Sequence, residues 1–409
     1  MNDKSKFKLI TEPIESLARK TEDKIYRFIL KLKNSDVISE QVYDQLRPIG
    51  SGPGTLYGKP KIHKSDFSIM FQFRPILAAY NLASYKLAKF LVPILKPFTT
   101  NQFTILNSKE FSQKLLSIPN ADKLHMASFD VESLFTNIPL LETCKICILK
   151  LFSVPDVPIA HGFTLKTFQK LLEHAVHNSF FIFNGKYYQQ TEGMGMGSPL
   201  GPSFANVFMC HHESIWLDDC PPSFKPVHYF RYLNDTFLLF RDKTHCGKFQ
   251  DYLNSKHRSI KFTDENEHND CLPFLDVLVK REGEAFSTSV FRKDTFSGLG
   301  MSYFSHCCKL FKINGIRTLL FRASNICSSN VAFRLEISFL RNFFFKNGFP
   351  HKIFNKEVET FMKKILNCPV TTCTVPKKTF LHLYPILWPY ICSARQTTEC
   401  AYLGIFPAH

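Results

Sequence analysis

Residues 126–140 read Met-Ala-Ser-Phe-Asp-Val-Glu-Ser-Leu-Phe-Thr-Asn-Ile-Pro-Leu, and the opening six decide the fold. Met126 to Val131 is an apolar run that stops at a carboxylate, Asp130, as a strand ending at a site does. Asp235 follows 105 positions later, beside Asn234. Two β-rich arms, 227–233 and 237–240, flank this pair, which predicts a tight hairpin with polar residues at its tip. Carboxylates delivered from different strands suit nucleotidyl transfer, which uses two divalent ions about 4 Å apart. A lone Asp at a strand end is more often a turn residue, so these positions alone leave both readings open.

The flanking sequence supplies the remaining elements. Apolar periodicity predicts helices over 14–33, 81–92 and 164–178, with Pro93 kinking or stopping the second and Pro97 ending it at the latest. Asp36 is an acceptable N-cap for a short helix running to Leu46, and Ser198-Pro199 has the residues of a helix start. Phe180 to Tyr188 reads as a hairpin around Asn184-Gly185, and Leu272 to Val279 as a further strand. From there to about residue 366 the pattern is mostly basic helix.

Several spaced segments resemble the reverse transcriptases of Penelope-like elements. Residues 126–140 are similar to their first catalytic motif, Gly195-Met196-Gly197-Ser198-Pro199-Leu200-Gly201-Pro202 to their second, and Arg231 to Phe237 to their third. Leu56-Tyr57-Gly58-Lys59-Pro60-Lys61-Ile62-His63-Lys64, Arg74-Pro75-Ile76, Ile260-Lys261-Phe262-Thr263 and Leu272-Pro273-Phe274-Leu275-Asp276-Val277 match further. The likeness keeps its order over about residues 25–370. It implies an α+β right-hand polymerase: fingers, an RRM-like palm with an antiparallel sheet, and a helical thumb. The expected division is a helical segment over 1–50, fingers over 51–125 and a palm over 126–284 with a fingers insertion at about 141–190. A basic thumb with a helix-turn-helix-like segment spans 285–370, and a tail spans 371–409. The family's GIY-YIG endonuclease has no signature here and Leu381 to His409 is too short to hold it, so an element without the nuclease or a truncated chain is expected, with most of the amino-terminal extension absent.

The resemblance also implies roles. Asp130 and Asp235 are the metal ligands for two Mg²⁺ ions, with Mn²⁺ as the alternative. Phe135 is the bulky gate under the sugar, where its ring leaves no room for a 2′-hydroxyl; plain core is the competing reading. Lys61, Lys64 and Arg74 fall in the fingers, where cations clamp a triphosphate, and Arg74 has the planar fork that suits phosphate. Either lysine reads equally as a solvated charge. Gly195, Gly197 and Ser198 let backbone approach the nucleotide or template, and Asn206 is a lesser nucleotide contact, with a capped or buried amide as the equal alternative. Asp276 reads as structural or primer-positioning. Arg292, Lys293, Lys309, Lys312, Arg317 and Arg322 are the candidate nucleic-acid contacts of the thumb.

Asn234 departs from the pattern, which has two adjacent aspartates at this hairpin. An amide offers one neutral oxygen and no charge to hard cations that select anionic oxygen. Weakened Mg²⁺ binding and reduced or absent polymerisation are expected.

The bulk charge leaves two readings open, a polyanionic partner and a basic but solvated surface. The chain carries 51 Lys+Arg against 35 Asp+Glu, a net charge of +16. Residues 286–366 hold 13 Lys/Arg and 4 Asp/Glu, so the surplus concentrates in the expected thumb. Thirteen scattered cysteines suit a reducing compartment and read as buried free thiols; Cys144 and Cys147 form a CxxC with no second pair. Neither a signal peptide nor an apolar run of about 18 residues is present, so no membrane partner is expected. The resulting reading is an RNA-directed DNA polymerase of a retroelement, taking an RNA template, a DNA primer or target end and deoxynucleoside triphosphates, in the nucleus or else the cytoplasm. A catalytically inactive nucleic-acid-binding remnant is the rival reading, and an RNA-dependent RNA polymerase is the third.

Overall fold

The run ending at Asp130 forms a strand, His125–Val131, whose alternating side chains give each face its task. The computed structural model describes residues 6–60, 73–153, 162–177 and 179–367. Ala127, Phe129 and Val131 enter one large apolar core, where Phe129 stacks on Phe249 with ring centroids 6.0 Å apart. Period-two alternation then points Asp130 out of the opposite face.

Four strands make this sheet, in the spatial order His228–Tyr232, Asp235–Phe240, His125–Val131, Phe262–Asn266. The first two form the predicted hairpin, and Asp235–Phe240 runs antiparallel to the Asp130 strand. Helices Gly201–Asp218 and Thr244–Lys256 supply Phe204, Phe208, Trp216 and Phe249 to the same core.

By compactness the chain divides into two units: residues 1–104 with 125–265, and residues 105–124 with 266–409. The break before His125 falls within one residue of the expected start of the palm, whereas helix Ser108–Leu116 and the strands after residue 266 group with the basic helices.

The first unit also holds a five-stranded sheet, ordered Phe7–Ile10, Lys186–Gln190, Ser179–Phe183, Gly54–Pro60, Phe73–Ala78. The segment expected to be purely helical thus contributes an edge strand. The hairpin at Asn184-Gly185 forms as predicted, both residues taking a positive φ. Helices Ile14–Asn34 and Leu165–Val176 match their predictions closely. Tyr85–Leu95 is helical and keeps Pro93 inside it.

Three helix starts are corrected, the first being that of the helix expected from residue 81, which begins at Tyr85. The helix ending at Leu46 begins at Glu40 with Ser39 as N-cap, while Asp36 sits at φ 53° in the turn before it. The helix expected from Ser198 begins at Gly201, and no side chain caps it. Residues 195–201 first make two tight turns, Ser198 N–H to Gly195 O and Gly201 N–H to Ser198 O, so the chain is not yet free to wind.

In the second unit a three-stranded antiparallel sheet, Cys271–Phe274, Val277–Glu282 and Ala285–Val290, carries the helices. The single strand predicted over 272–279 is therefore a hairpin, turning at Leu275-Asp276. Phe111 of Ser108–Leu116 packs on Phe274. Helices Lys309–Ile326, Asn330–Lys346 and His351–Asn367 enclose a core of Ile316, Leu320, Phe333, Leu340, Phe344 and Phe354. Ser329 caps the middle one through the Ala332 N–H.

Cys144 and Cys147 are buried as expected, and burial pushes the Cys144 thiol up to about 12, with Glu173 adding to the shift. The expectation of burial fails at Cys308, which is exposed at the start of a helix. Cys368, Cys373, Cys392 and Cys400, like Lys61, Lys64 and the tail, lie outside the described residues. No helix among the described residues is long and apolar enough to cross a membrane.

Phe129 holds the Asp130 strand onto the helical layer. Phe129→Ala should destabilise the protein by about 3–5 kcal/mol through lost burial and the cavity left behind, as read from urea unfolding.

Candidate functional site

Asp130 and Asp235 are direct cross-strand partners in the antiparallel pair, so their side chains leave the same face. Both are half-buried. Like charges set directly opposite each other repel, so the arrangement calls for a positive or donating group nearby.

The neighbouring residue supplies one. Asn234 Nδ2 donates to Asp130 Oδ1 at 2.5 Å, and the Asn234 backbone carbonyl accepts from the Val131 N–H at 3.0 Å. The hairpin loop is only Leu233 and Asn234, since Tyr232 already pairs with Asp235. Leu233 takes φ 56°, a left-handed conformation that costs a branched side chain about 1–2 kcal/mol.

Arg231 braces that loop. It is fully buried, and its guanidinium donates to Glu213 through Nε (2.5 Å) and Nη2 (3.1 Å), and to Asn206 Oδ1 (2.8 Å) and the Leu233 carbonyl (3.1 Å) through Nη1. Asn101 also donates to Glu213 at 2.6 Å. Burial alone would lower the Arg231 pKa, but the Glu213 carboxylate outweighs it and moves the pKa up, so the pair stays ionic. Sequence reasoning gave Arg231 no role. Its signal was present: a single guanidinium inside an apolar strand, with an acidic residue on an apolar helix face.

The glycine-rich loop is held between the Phe73–Ala78 strand and the segment that follows Asp130. Gly197 has φ 126°, and a Cβ there would lie 2.0 Å from the Leu77 carbonyl oxygen. This contact accompanies a hydrogen bond from Leu77 N–H to Met196 O at 2.7 Å, which ties the loop to Phe73–Ala78. Gly193, which the sequence reading did not single out, presses in the same way on the Thr136 backbone. The loop is also bonded to the residue expected as the gate: Met194 N–H donates to Phe135 O at 2.7 Å. Phe135 itself is half-buried, with its ring at the edge of the core and near Gly201.

Ser198 is half-buried in the turn before the helix. Asn206 has its carbonyl oxygen engaged by Arg231. Arg74 pairs in register with Lys59, so two cations stand side by side on neighbouring strands, and Lys59 joins the candidates for that reason.

Four of the six thumb cations have partners within the second unit. Arg292 forms a bidentate pair with Glu336 and lies over the Phe339 ring at 3.7 Å. Lys312 donates to the carbonyls of Tyr303 and Ser305, and Arg317 to Glu357 at 2.7 Å. Arg322 donates to Asp276 at 2.5 Å, and Asp276 is also bonded to Ser108. Lys293 and Lys309 are exposed.

Divalent ions test the donor set. Among the described residues no group of three or more His, Cys, Asp and Glu side chains is placed to hold a metal. Asp130 and Asp235 share a face, but the Asn234 amide turns an N–H toward the oxygen that a cation would take. The residues present do not fit a pair of Mg²⁺ ions.

The family model described as reverse transcriptase (RNA-dependent DNA polymerase) matches residues 62–266, and the one for the animal helix-turn-helix domain matches 301–359. The chain belongs to the reverse transcriptase family. Its fold is similar to telomerase from Candida albicans, solved with a fragment of telomeric RNA, at TM-score 0.50 and 11% identity. That match covers 80% of this chain and 61% of the telomerase chain, so this chain spans less than two thirds of it. The Sicinivirus RNA-dependent RNA polymerase gives TM-score 0.45 and 12% identity over 88% of this chain and 74% of the viral one. The fold is a mixed α+β right-hand polymerase. No curated protein matches the chain.

Removing one partner of the buried ion pair strands the other charge. Glu213→Gln should destabilise the protein by about 3–5 kcal/mol in urea unfolding. Gly197→Ala should also lower the unfolding midpoint, because the added methyl collides with the Leu77 carbonyl, whereas Gly247→Ala, which meets open space, should not.

Proposed function

We propose that the protein is the reverse transcriptase of a Penelope-like retroelement whose polymerase has been weakened at the Asp130 centre while nucleic-acid binding is retained. The direct facing of Asp130 and Asp235 on one sheet face, within motifs in the family's order, carries the reading. The ancestral reaction is RNA-templated extension of a DNA 3′ end with deoxynucleoside triphosphates. Reverse transcriptases generally use divalent ions for it, and Asn234 withdraws one unit of negative charge from the place where they bind.

The chain's own residues have separable tasks in this reading. Phe135 abuts the sugar and disfavours a 2′-hydroxyl. The Gly193–Ser198 loop brings backbone close to the nucleotide and template. Arg74 and Lys59 face the triphosphate, and Lys61 and Lys64 take the same task by their place in the family motif alone. Lys293 and Lys309 hold duplex phosphates, while Arg292, Arg317 and Arg322 keep the thumb folded. Nuclear action at a nicked or exposed chromosomal end belongs to the same proposal.

Primer extension on an RNA template tests the catalytic part. The unaltered chain should extend poorly, and Asn234→Asp should raise the rate by roughly a hundredfold or more, within the range that one catalytic electrostatic group supplies. Equal robust extension by both would overturn it. RNA–DNA binding without extension in either form would favour the inactive remnant, and ribonucleotide incorporation would favour the RNA polymerase.

The thumb assignment is tested by salt dependence. Lys293→Ala with Lys309→Ala should weaken duplex binding and reduce the slope of log K against log salt by about 0.7–0.9 per lost phosphate contact. Arg317→Ala should instead lower the unfolding midpoint and leave that slope unchanged.

A further inference from the structure

We propose that the Asn234 side chain is a built-in, uncharged stand-in for a cation at Asp130, so that this site is folded and stable without divalent metal. The proposal rests on reading the hairpin as the reverse-transcriptase centre, and it concerns what the departure at position 234 does there.

Two features fix the amide's orientation. An ionised carboxylate has no hydrogen to give, so a contact of 2.5 Å to Asp130 Oδ1 is favourable only with the NH₂ end of Asn234 facing it. The carbonyl end, the only part a metal ion could use, is thereby turned away from that oxygen. For Asn234 to ligate an ion beside Asp130, the amide would have to flip and lose this charge-assisted bond.

The backbone holds Asn234 where it is. Its carbonyl accepts from Val131 N–H at 3.0 Å, strapping the loop to the Asp130 strand. Arg231 fixes the Leu233 carbonyl one residue earlier, in a left-handed turn. A rigid tip thus presents a hydrogen-bond donor to one member of a facing carboxylate pair.

An aspartate at 234 would have the opposite effect. Three carboxylates, at 130, 234 and 235, would crowd one hairpin, and their repulsion would be relieved only by cations. With the amide, one charge is absent and another is hydrogen-bonded. Removing the metal then has little to disturb.

Thermal unfolding of the full chain in EDTA and in Mg²⁺, together with Mn²⁺ binding followed by electron paramagnetic resonance, tests the idea in three forms. The unaltered chain should melt at the same temperature with and without Mg²⁺. Asn234→Asp should melt lower in EDTA, recover on adding Mg²⁺, and bind Mn²⁺ roughly tenfold or more tightly, as expected when a charged ligand is added. Asn234→Ala should melt below the unaltered chain in EDTA and bind Mn²⁺ at least as well, because the competing donor is gone. Weaker Mn²⁺ binding by Asn234→Ala would make the amide a ligand and overturn the proposal. So would Mg²⁺ stabilisation of the unaltered chain equal to that of Asn234→Asp. If Asn234→Asp does not fold, the alanine comparison still decides. RNA–DNA binding measured in EDTA separates the two levels: its absence would defeat the polymerase reading, while the melting and Mn²⁺ results would still decide the role of the amide.

Discussion

Asp130 and Asp235 face each other across an antiparallel pair, and the rest of the first unit is arranged around keeping them there. A one-residue slip in that register would send one carboxylate into the apolar core, so register must be held firmly. Phe129, Leu238 and Phe240 hold it from below through burial. Arg231 and Glu213 hold it from the side, since a buried ion pair is tolerated only when its hydrogen bonds are satisfied, and Arg231 satisfies them through Asn206, Leu233 and Glu213. The Gly193–Ser198 loop is held so close to the backbone of Leu77 and Thr136 that Gly193 and Gly197 leave no room for a Cβ.

The second unit shows how the same local solution serves a different end. Leu275 takes φ 56° at the tip of a two-residue hairpin, as Leu233 does, and an Asx residue follows each leucine. At the first tip the side chain meets a carboxylate. At the second, Asp276 meets Arg322 and Ser108 and ties a hairpin to two helices. Similar turn geometry thus presents Asn234 within the candidate site and Asp276 within a structural clasp, and only the partners distinguish them.

Much of this was legible in the sequence where the signal is local. The strand at Asp130, the hairpin at Asn234-Asp235, the Asn184-Gly185 turn and the helix over 14–33 follow from alternation, turn residues and helical periodicity. What was not legible depends on partners distant in the chain. Phe7–Ile10 is a strand because Lys186–Gln190 lies beside it, and nothing in four residues announces that. The late start of the helix at Gly201 reflects a loop already pinned to Leu77. A count of cations in 286–366 gave the sign of the surface, but not which cations are free: Arg292, Arg317 and Arg322 are paired with acids 44, 40 and 46 positions away. At the site itself, the missing charge at 234 was plain from the sequence. That its replacement would donate to Asp130 needed the structure.

Asp130 and Asp235 share one sheet face, and on that face the Asn234 amide donates to Asp130. Anomalous diffraction from crystals of the unaltered chain bound to an RNA–DNA duplex and soaked in Mn²⁺ tests it most directly. No paired Mn²⁺ peaks are expected between Asp130 and Asp235, and Asn234 Nδ2 should still lie within hydrogen-bonding distance of Asp130. Two well-occupied Mn²⁺ ions there, with the Asn234 carbonyl turned onto one of them, would contradict it.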